Sequence, residues 1–295
     1  MEKIQLAAMN LSHIILGCDR CGGSIKKDDC YGIIDEYIKA GGNMLDTARL
    51  YADGESEKII GEYLEQTNSR SKVYISTKCA HPNIETMHKN RLGRDDILSD
   101  VEKSLKSLKT DYIDILWLHR DDISVDVKPI INTLNKLINE GTVKYIGASN
   151  WTHTRIIMAN KYASENGLKG FLASQILYNP AKANESWDDT LVAMHDEGER
   201  EFYETSKMPV FAFSSQAKGF FEKYAAGTLS QKSKDRYYNN ENIQTYSQIK
   251  KYADENNITV SNAVIKTLIN KSNFDVFPII GPSNINQLKE TLNIM

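Results

Sequence analysis

Four side chains of different chemistry close or follow apolar stretches of this chain. Asp46 ends Asn43-Met44-Leu45-Asp46, Lys78 ends the run that begins at Val73, and His119 follows Tyr112-Ile113-Asp114-Ile115-Leu116-Trp117-Leu118, while Tyr51 lies five residues beyond Asp46. If the runs are neighbouring strands, about 4.8 Å apart, an acid, an amine, an imidazole and a phenol meet in one small volume. A phenol with a pKa near 10 serves as a proton donor at neutral pH when a nearby ammonium eases its ionisation. In such a set Lys78 perturbs Tyr51, Asp46 holds Lys78 charged and aimed, and a neutral His119 orients a carbonyl oxygen. Taken singly each residue has a plainer reading: an Asp can cap a helix, a Lys can be solvated, a buried His can satisfy a backbone group. A lysine that ends a strand could also form a Schiff base, as in an aldolase.

The elements that must position these groups are legible as a repeat. Strand-like runs begin near Ser12, Asn43, Val73, Tyr112, Val143, Phe171 and Pro209, with an eighth over Asp275-Val276-Phe277-Pro278-Ile279-Ile280. Continuous apolar runs such as Val73 to Thr77 suit strands buried on both faces, hence a parallel sheet. Between them Ile97, Val101, Leu105 and Leu108, and Ile130, Ile131, Leu134, Leu137 and Ile138, recur at helical spacing. Gly141 and Gly167 stand where a left-handed residue ends a helix, and Glu55 and Glu57 favour a helix start. The first seven runs start 28 to 39 residues apart, the length of one βα unit. Eight such units predict an α/β fold, a (β/α)₈ TIM barrel forming a single domain over residues 1–295, rather than an open doubly wound sheet or a helical solenoid. Ser230 to Gln244 is polar and predicts a surface loop, followed by helices around Tyr246 to Glu255 and Ser261 to Asn270.

With 36 basic and 39 acidic residues and a net charge of -3, the chain lacks the electrostatic footprint of a nucleic-acid binder. No apolar run is long enough for a membrane span, and Met1 to Leu6 lacks a signal-peptide core, so a cytoplasmic location is expected. Four cysteines, Cys18, Cys21, Cys30 and Cys79, are expected to stay reduced. Cys18-x-x-Cys21 has no second pair at finger spacing, so no metal site is expected; one or both of His81 and His88 are expected to line a pocket. Neither GxGxxG nor GxxxxGK occurs, so a nucleotide must be held by the barrel's own loops.

Gly41-Gly42-Asn43-Met44-Leu45-Asp46-Thr47-Ala48-Arg49-Leu50-Tyr51, followed by Gly54-Glu55-Ser56-Glu57 and Ile60-Gly61, resembles the aldo-keto reductase signature. The resemblance continues through Ser76-Thr77-Lys78, Ser104 to Asp114, Leu118-His119 and Gly147-Ala148-Ser149-Asn150. It implies a carbonyl reductase on a (β/α)₈ barrel, with a catalytic tetrad falling on Asp46, Tyr51, Lys78 and His119. By the same resemblance Ser149, Asn150 and Gln175 hold the nicotinamide carboxamide, Phe213 stacks on its ring, and Ser214, Ser215 and Gln216 approach the pyrophosphate. Ile280-Gly281-Pro282-Ser283-Asn284 and Gln287-Leu288-Lys289-Glu290 resemble the adenosine-binding segment, which places Gly281, Ser283, Gln287 and Glu290 at the cofactor. NADPH is the implied cofactor. Gly281 and Gln287 stand where many members carry the Lys and Arg that grip a 2′-phosphate, which admits NADH too. Some barrel subunits that resemble this family accompany potassium channels, so a non-catalytic cofactor-binding role is a further alternative. Cys18-Asp19-Arg20 and Arg120-Asp121-Asp122 predict a polar pocket rim, and with Met295 as the last residue the long C-terminal loop that encloses bulky apolar substrates in some members is not expected. The expected partner is a small polar, sugar-like aldehyde or ketone, with no nucleic-acid or membrane partner.

Overall fold

A computed structural model describes residues 1–86, 89–184 and 190–293. His88 lies outside the described residues. The chain opens with an antiparallel hairpin, β1 (Lys3–Leu6) and β2 (Met9–Ser12), which the strand expected from Ser12 did not foresee. The barrel follows as β3 (Ile15–Gly17), β4 (Met44–Asp46), β5 (Tyr74–Cys79), β6 (Ile113–Leu118), β7 (Val143–Ser149), β8 (Ala173–Leu177), β9 (Val210–Phe213) and β10 (Val276–Ile280). These eight strands run parallel in sequence order, and β10 closes the ring by pairing with both β9 and β3.

Helices α1 (Lys27–Lys39), α2 (Glu55–Thr67), α3 (Arg94–Leu108), α4 (Val127–Asn139) and α5 (His153–Glu165) fill the first crossovers. Apolar faces such as Ile130, Ile131, Leu134 and Leu137 pack α4 onto the sheet. Gly141 and Gly167 are left-handed after α4 and α5, with φ of 78° and 65°. The β8–β9 crossover carries a short α6 (Glu199–Ser206) before β9; α7 (Phe220–Ala225), α8 (Gln231–Tyr237), α9 (Asn240–Asn256), α10 (Val260–Asn270) and α11 (Ile285–Leu292) complete the coat.

The polar stretch expected as a loop is instead α8 and the start of α9. Ser230 and Asn239 cap these helices by accepting from the backbone N–H of Ser233 and Asn242. Two buried residues, Tyr237 and Asn242, anchor them, too few to register as an amphipathic period.

Inside the barrel Trp117 meets Phe211 at 4.9 Å between ring centroids, and Phe211 stacks on Phe277 at 4.8 Å. Leu6, Met9 and Leu11 of the hairpin join this cluster from below, and Ser12 N donates to Asn43 Oδ1 at 2.6 Å. Gly147 on β7 makes room for Trp117: a Cβ there would stand 2.2 Å from the indole and 3.0 Å from the Ala173 carbonyl oxygen. Gly147→Ala is therefore expected to destabilise the fold by about 2–3 kcal/mol through overpacking, read as a lower denaturant midpoint at constant m-value. Among the described residues no helix is long and apolar enough to cross a membrane, and no group of three or more His, Cys, Asp or Glu could hold a metal ion.

Candidate active site

The carboxyl ends of the strands bring the four chemically distinct residues together. β4 ends on Asp46, β5 carries Lys78 one residue before its end, and His119 follows β6. Lys78 Nζ donates to Asp46 Oδ2 at 2.6 Å and to the Thr47 carbonyl oxygen at 2.8 Å, with both charged side chains buried. Asp46 Oδ1 accepts from Ser76 Oγ at 2.6 Å and Gln175 Nε2 at 3.0 Å. The carboxylate is thus satisfied on both oxygens and cannot rotate away from the ammonium.

Tyr51 stands on a sharp turn between β4 and α2. Ala52, Asp53 and Gly54 are all left-handed, with φ of 49°, 55° and 90°, before α2 begins at Glu55. That turn sets the Tyr51 ring 4.7 Å from Lys78 Nζ and 5.9 Å, edge to face, from the His119 ring. Behind the site Thr77, which alternates with Lys78 along β5, donates to the buried Glu57 at 2.6 Å and ties strand to helix.

Burial raises the Tyr51 phenol above its ordinary pKa, and the Lys78 ammonium offsets only part of that. The phenol therefore keeps its proton at neutral pH. For Lys78 burial disfavours the charge, but attraction to Asp46 and Tyr51 outweighs it and the pKa is raised. His119 is held well below the usual imidazole value, first by burial and then by Lys78, and is neutral. Its ring meets that of His81 at 4.7 Å.

Above these groups runs a groove of about 560 Å³. It is lined by Asp46, Tyr51 and His119, and by every residue that the sequence led one to expect at a cofactor: Ser149, Asn150, Gln175, Phe213, Ser214, Ser215, Gln216, Gly281, Ser283, Gln287 and Glu290. Lys78 lies behind Asp46 and Tyr51, outside the lining. Several of these side chains are already engaged. Asn150 donates to the His119 carbonyl oxygen at 3.3 Å and accepts from Val192 N, Ser215 Oγ donates to the Ile279 carbonyl oxygen, and Gln287 Oε1 accepts from Ser283 N. Those contacts hold the walls of the groove in place.

The rim differs in part from the expected polar one. Asp19, Arg20, Arg120 and His81 do line the groove, but Leu50, Leu191 and Phe213 make its mouth partly apolar. Cys18 is buried, and Asp121 is bound bidentately by Arg155 at 2.9 and 3.0 Å. Arg20 reaches the last loop and donates to Ser283 Oγ. Ser76, Lys218, Glu222, Lys223, Ser261 and Thr291 were not anticipated as site residues. Ser76 had a signal, since it precedes Lys78 by two along a strand and so shares its face; the others depend on how loops and helices converge.

The family model of the aldo/keto reductases matches residues 13–295. The chain is 36% identical over 163 residues to aryl-alcohol dehydrogenase GME11368 of Pestalotiopsis microspora, covering 53% of this chain and 42% of that protein. It is 33% identical over 190 residues to norsolorinic acid reductase B of Aspergillus parasiticus, covering 60% and 50%. A longer alignment, 26% over 322 residues, joins it to the putative aryl-alcohol dehydrogenase AAD14 of Saccharomyces cerevisiae, covering 98% and 80%. The chain thus spans about half the length of the first two relatives.

Proposed function

The chain belongs to the aldo/keto reductase family, and from that premise we propose that it reduces the carbonyl of a small aldehyde or ketone to the alcohol, using NADPH or NADH. The observation that carries this reading is the Asp46–Lys78 pair behind Tyr51, with neutral His119 beside it, at the bottom of one groove.

The groove suits a nicotinamide dinucleotide by its donor set. Polar Ser149 and Gln175 line it with Asp46, Tyr51 and His119, Phe213 adds an aromatic ring to the lining, and the cations Lys218 and Lys223 also line it, as a pyrophosphate requires. When bound, that cofactor supplies the hydride. Tyr51 delivers its proton to the carbonyl oxygen as charge develops there, Lys78 stabilises the phenolate left behind, and Asp46 keeps Lys78 in place. His119, being neutral, donates one ring N–H to the same oxygen. A Schiff-base role for Lys78 finds less support, because its ammonium is paired with Asp46 and its pKa is raised, whereas imine formation needs a neutral amine.

The substrate we propose is small and polar, sugar-like. Because the mouth is partly apolar and two relatives are named for aryl alcohols, aromatic aldehydes belong in the same screen; a clear preference for steroids or long alkyl aldehydes would overturn the polar assignment. The direct test is titration with NADPH and NADH, followed by tryptophan quenching through buried Trp151 beside Asn150 and repeated by calorimetry. Absence of binding in both assays would end the hydride-transfer reading.

Arg20 carries a second expectation. It meets Ser283 beside Gly281 on the last loop and Gln287 in the first turn of α11, positions that carry no cation, and so stands in for the missing phosphate grip. Arg20→Ala is expected to weaken NADPH about tenfold and NADH much less. Equal losses for the two would assign Arg20 to the shared pyrophosphate instead.

A further inference from the structure

Resting on the reductase reading above, we propose that Asp100 is a positioning residue for the reaction: from α3 it ties together the two segments that carry Tyr51 and Lys78 and so sets the phenol against the ammonium. Asp100 lies midway along α3 and is fully buried. Its Oδ1 pairs with Arg49 Nε at 2.9 Å, and its Oδ2 accepts from Ala80 N at 3.0 Å. Arg49 precedes Tyr51 by two residues and Ala80 follows Lys78 by two, so one carboxylate joins the chain on either side of the reacting pair. Arg91 holds that carboxylate in orientation, donating from Nη1 to Oδ2 at 2.9 Å and from Nη2 to Oδ1 at 2.8 Å. The same Nη1 donates to the His81 carbonyl oxygen at 3.2 Å, and Nε donates to Asp96 Oδ1 at 3.1 Å.

Neither segment keeps its shape by local preference. Ala80 is left-handed at φ 64°, and Tyr51 is followed by the left-handed residues 52 to 54. Residues other than glycine hold such conformations only where the surroundings impose them. Asp100 bonds the strained Ala80 at its own N–H. Beside the pair the backbone link from Arg49 N to the Lys78 carbonyl oxygen is long, at 3.4 Å, so the carboxylate with its two guanidinium partners is the firmer tie. Tyr51 and Lys78 meet through ring and ammonium 4.7 Å apart, and a shift of about 1 Å between reacting groups can cost a hundredfold in rate. A buried ion cluster can also serve the fold alone. Breaking one that did so would slow an enzyme with its phenol and an enzyme without it by the same factor.

The test is a double-mutant cycle on the full chain, read by single-turnover kinetics with NADPH and with glyceraldehyde and 4-nitrobenzaldehyde as probes. Asp100→Asn keeps the size of the side chain and removes the charge that holds Arg49. It is expected to lower kcat about 10- to 100-fold while KM stays within about threefold and the calorimetric NADPH affinity within about twofold of wild type. In a Tyr51→Phe background the same change should cost less than about twofold, because no phenol is left to misplace. Arg49→Met breaks the tie from its less buried side, leaves Asp100 with Arg91, and should show the same pattern more mildly, which covers an Asp100→Asn chain that does not fold. Wild-type turnover in either variant overturns the assignment, and so does an equal fold loss with and without Tyr51, the mark of a role in stability alone. If wild type binds neither NADPH nor NADH, or reduces neither aldehyde, it is the reductase reading that falls.

Discussion

Tyr51→Phe is expected to lower turnover in carbonyl reduction by about 10²- to 10⁴-fold while leaving the dissociation constants for NADPH and NADH within about twofold of wild type. Phenylalanine keeps the ring that packs edge to face on His119, so the groove keeps its shape and only the proton donor is lost. Single-turnover kinetics at saturating cofactor would separate this loss from binding; retained activity would remove Tyr51 from the chemistry. The pH dependence has a definite sign. Reduction needs the phenol protonated, and burial raises its pKa above the ordinary value, so the rate should stay level through neutral pH and fall only on the alkaline side. No limb should arise from His119 near its ordinary pKa, because that imidazole is already neutral there.

Lys78→Met is expected to damage both rate and stability. The ammonium is the charge that lowers the Tyr51 pKa against the effect of burial, so without it the phenol becomes a weaker acid and the alkaline limb moves to higher pH as turnover falls. A pH–rate profile unchanged from wild type would contradict this role. For stability, the variant leaves the buried Asp46 with Ser76 and Gln175 as donors but no cation. Breaking such a buried pair from one side typically costs about 3–5 kcal/mol. Asp46→Asn in the same chain should restore part of that loss, since the uncompensated charge goes with it. Linkage adds a direction: the folded-state pKa of Lys78 is raised, so the pair's contribution is full below the unfolded lysine pKa and is lost as pH climbs through the folded one. The stability gap between wild type and variant should therefore narrow at strongly alkaline pH.

The barrel was legible because strands buried on both faces leave continuous apolar runs, and a run such as Val143 onward starts where β7 does. The N-terminal hairpin was not: its strands have four residues each, and its turn passes through Ala7 at φ 51° without the Gly, Asn or Asp that marks such turns. The four central residues could be found because strand ends are where such a fold presents side chains. Arg20 and Glu222 could not be assigned in the same way. Arg20 lies close to the expected substrate rim in sequence but crosses to the last loop, and Glu222 sits on the six-residue α7, where a helical period has no length in which to appear.

The left-handed turn after Tyr51 limits how this protein could be hardened. An alanine in that conformation stores about 1–2 kcal/mol that a glycine would not, so Ala52 is a place where an engineer seeking thermal robustness would gain by relaxing the backbone. The same relaxation would let the phenol wander from the ammonium and the imidazole that face it. Robustness and speed compete for this one peptide segment, and gains in heat tolerance are better sought in the helical coat, away from the mouth of the barrel.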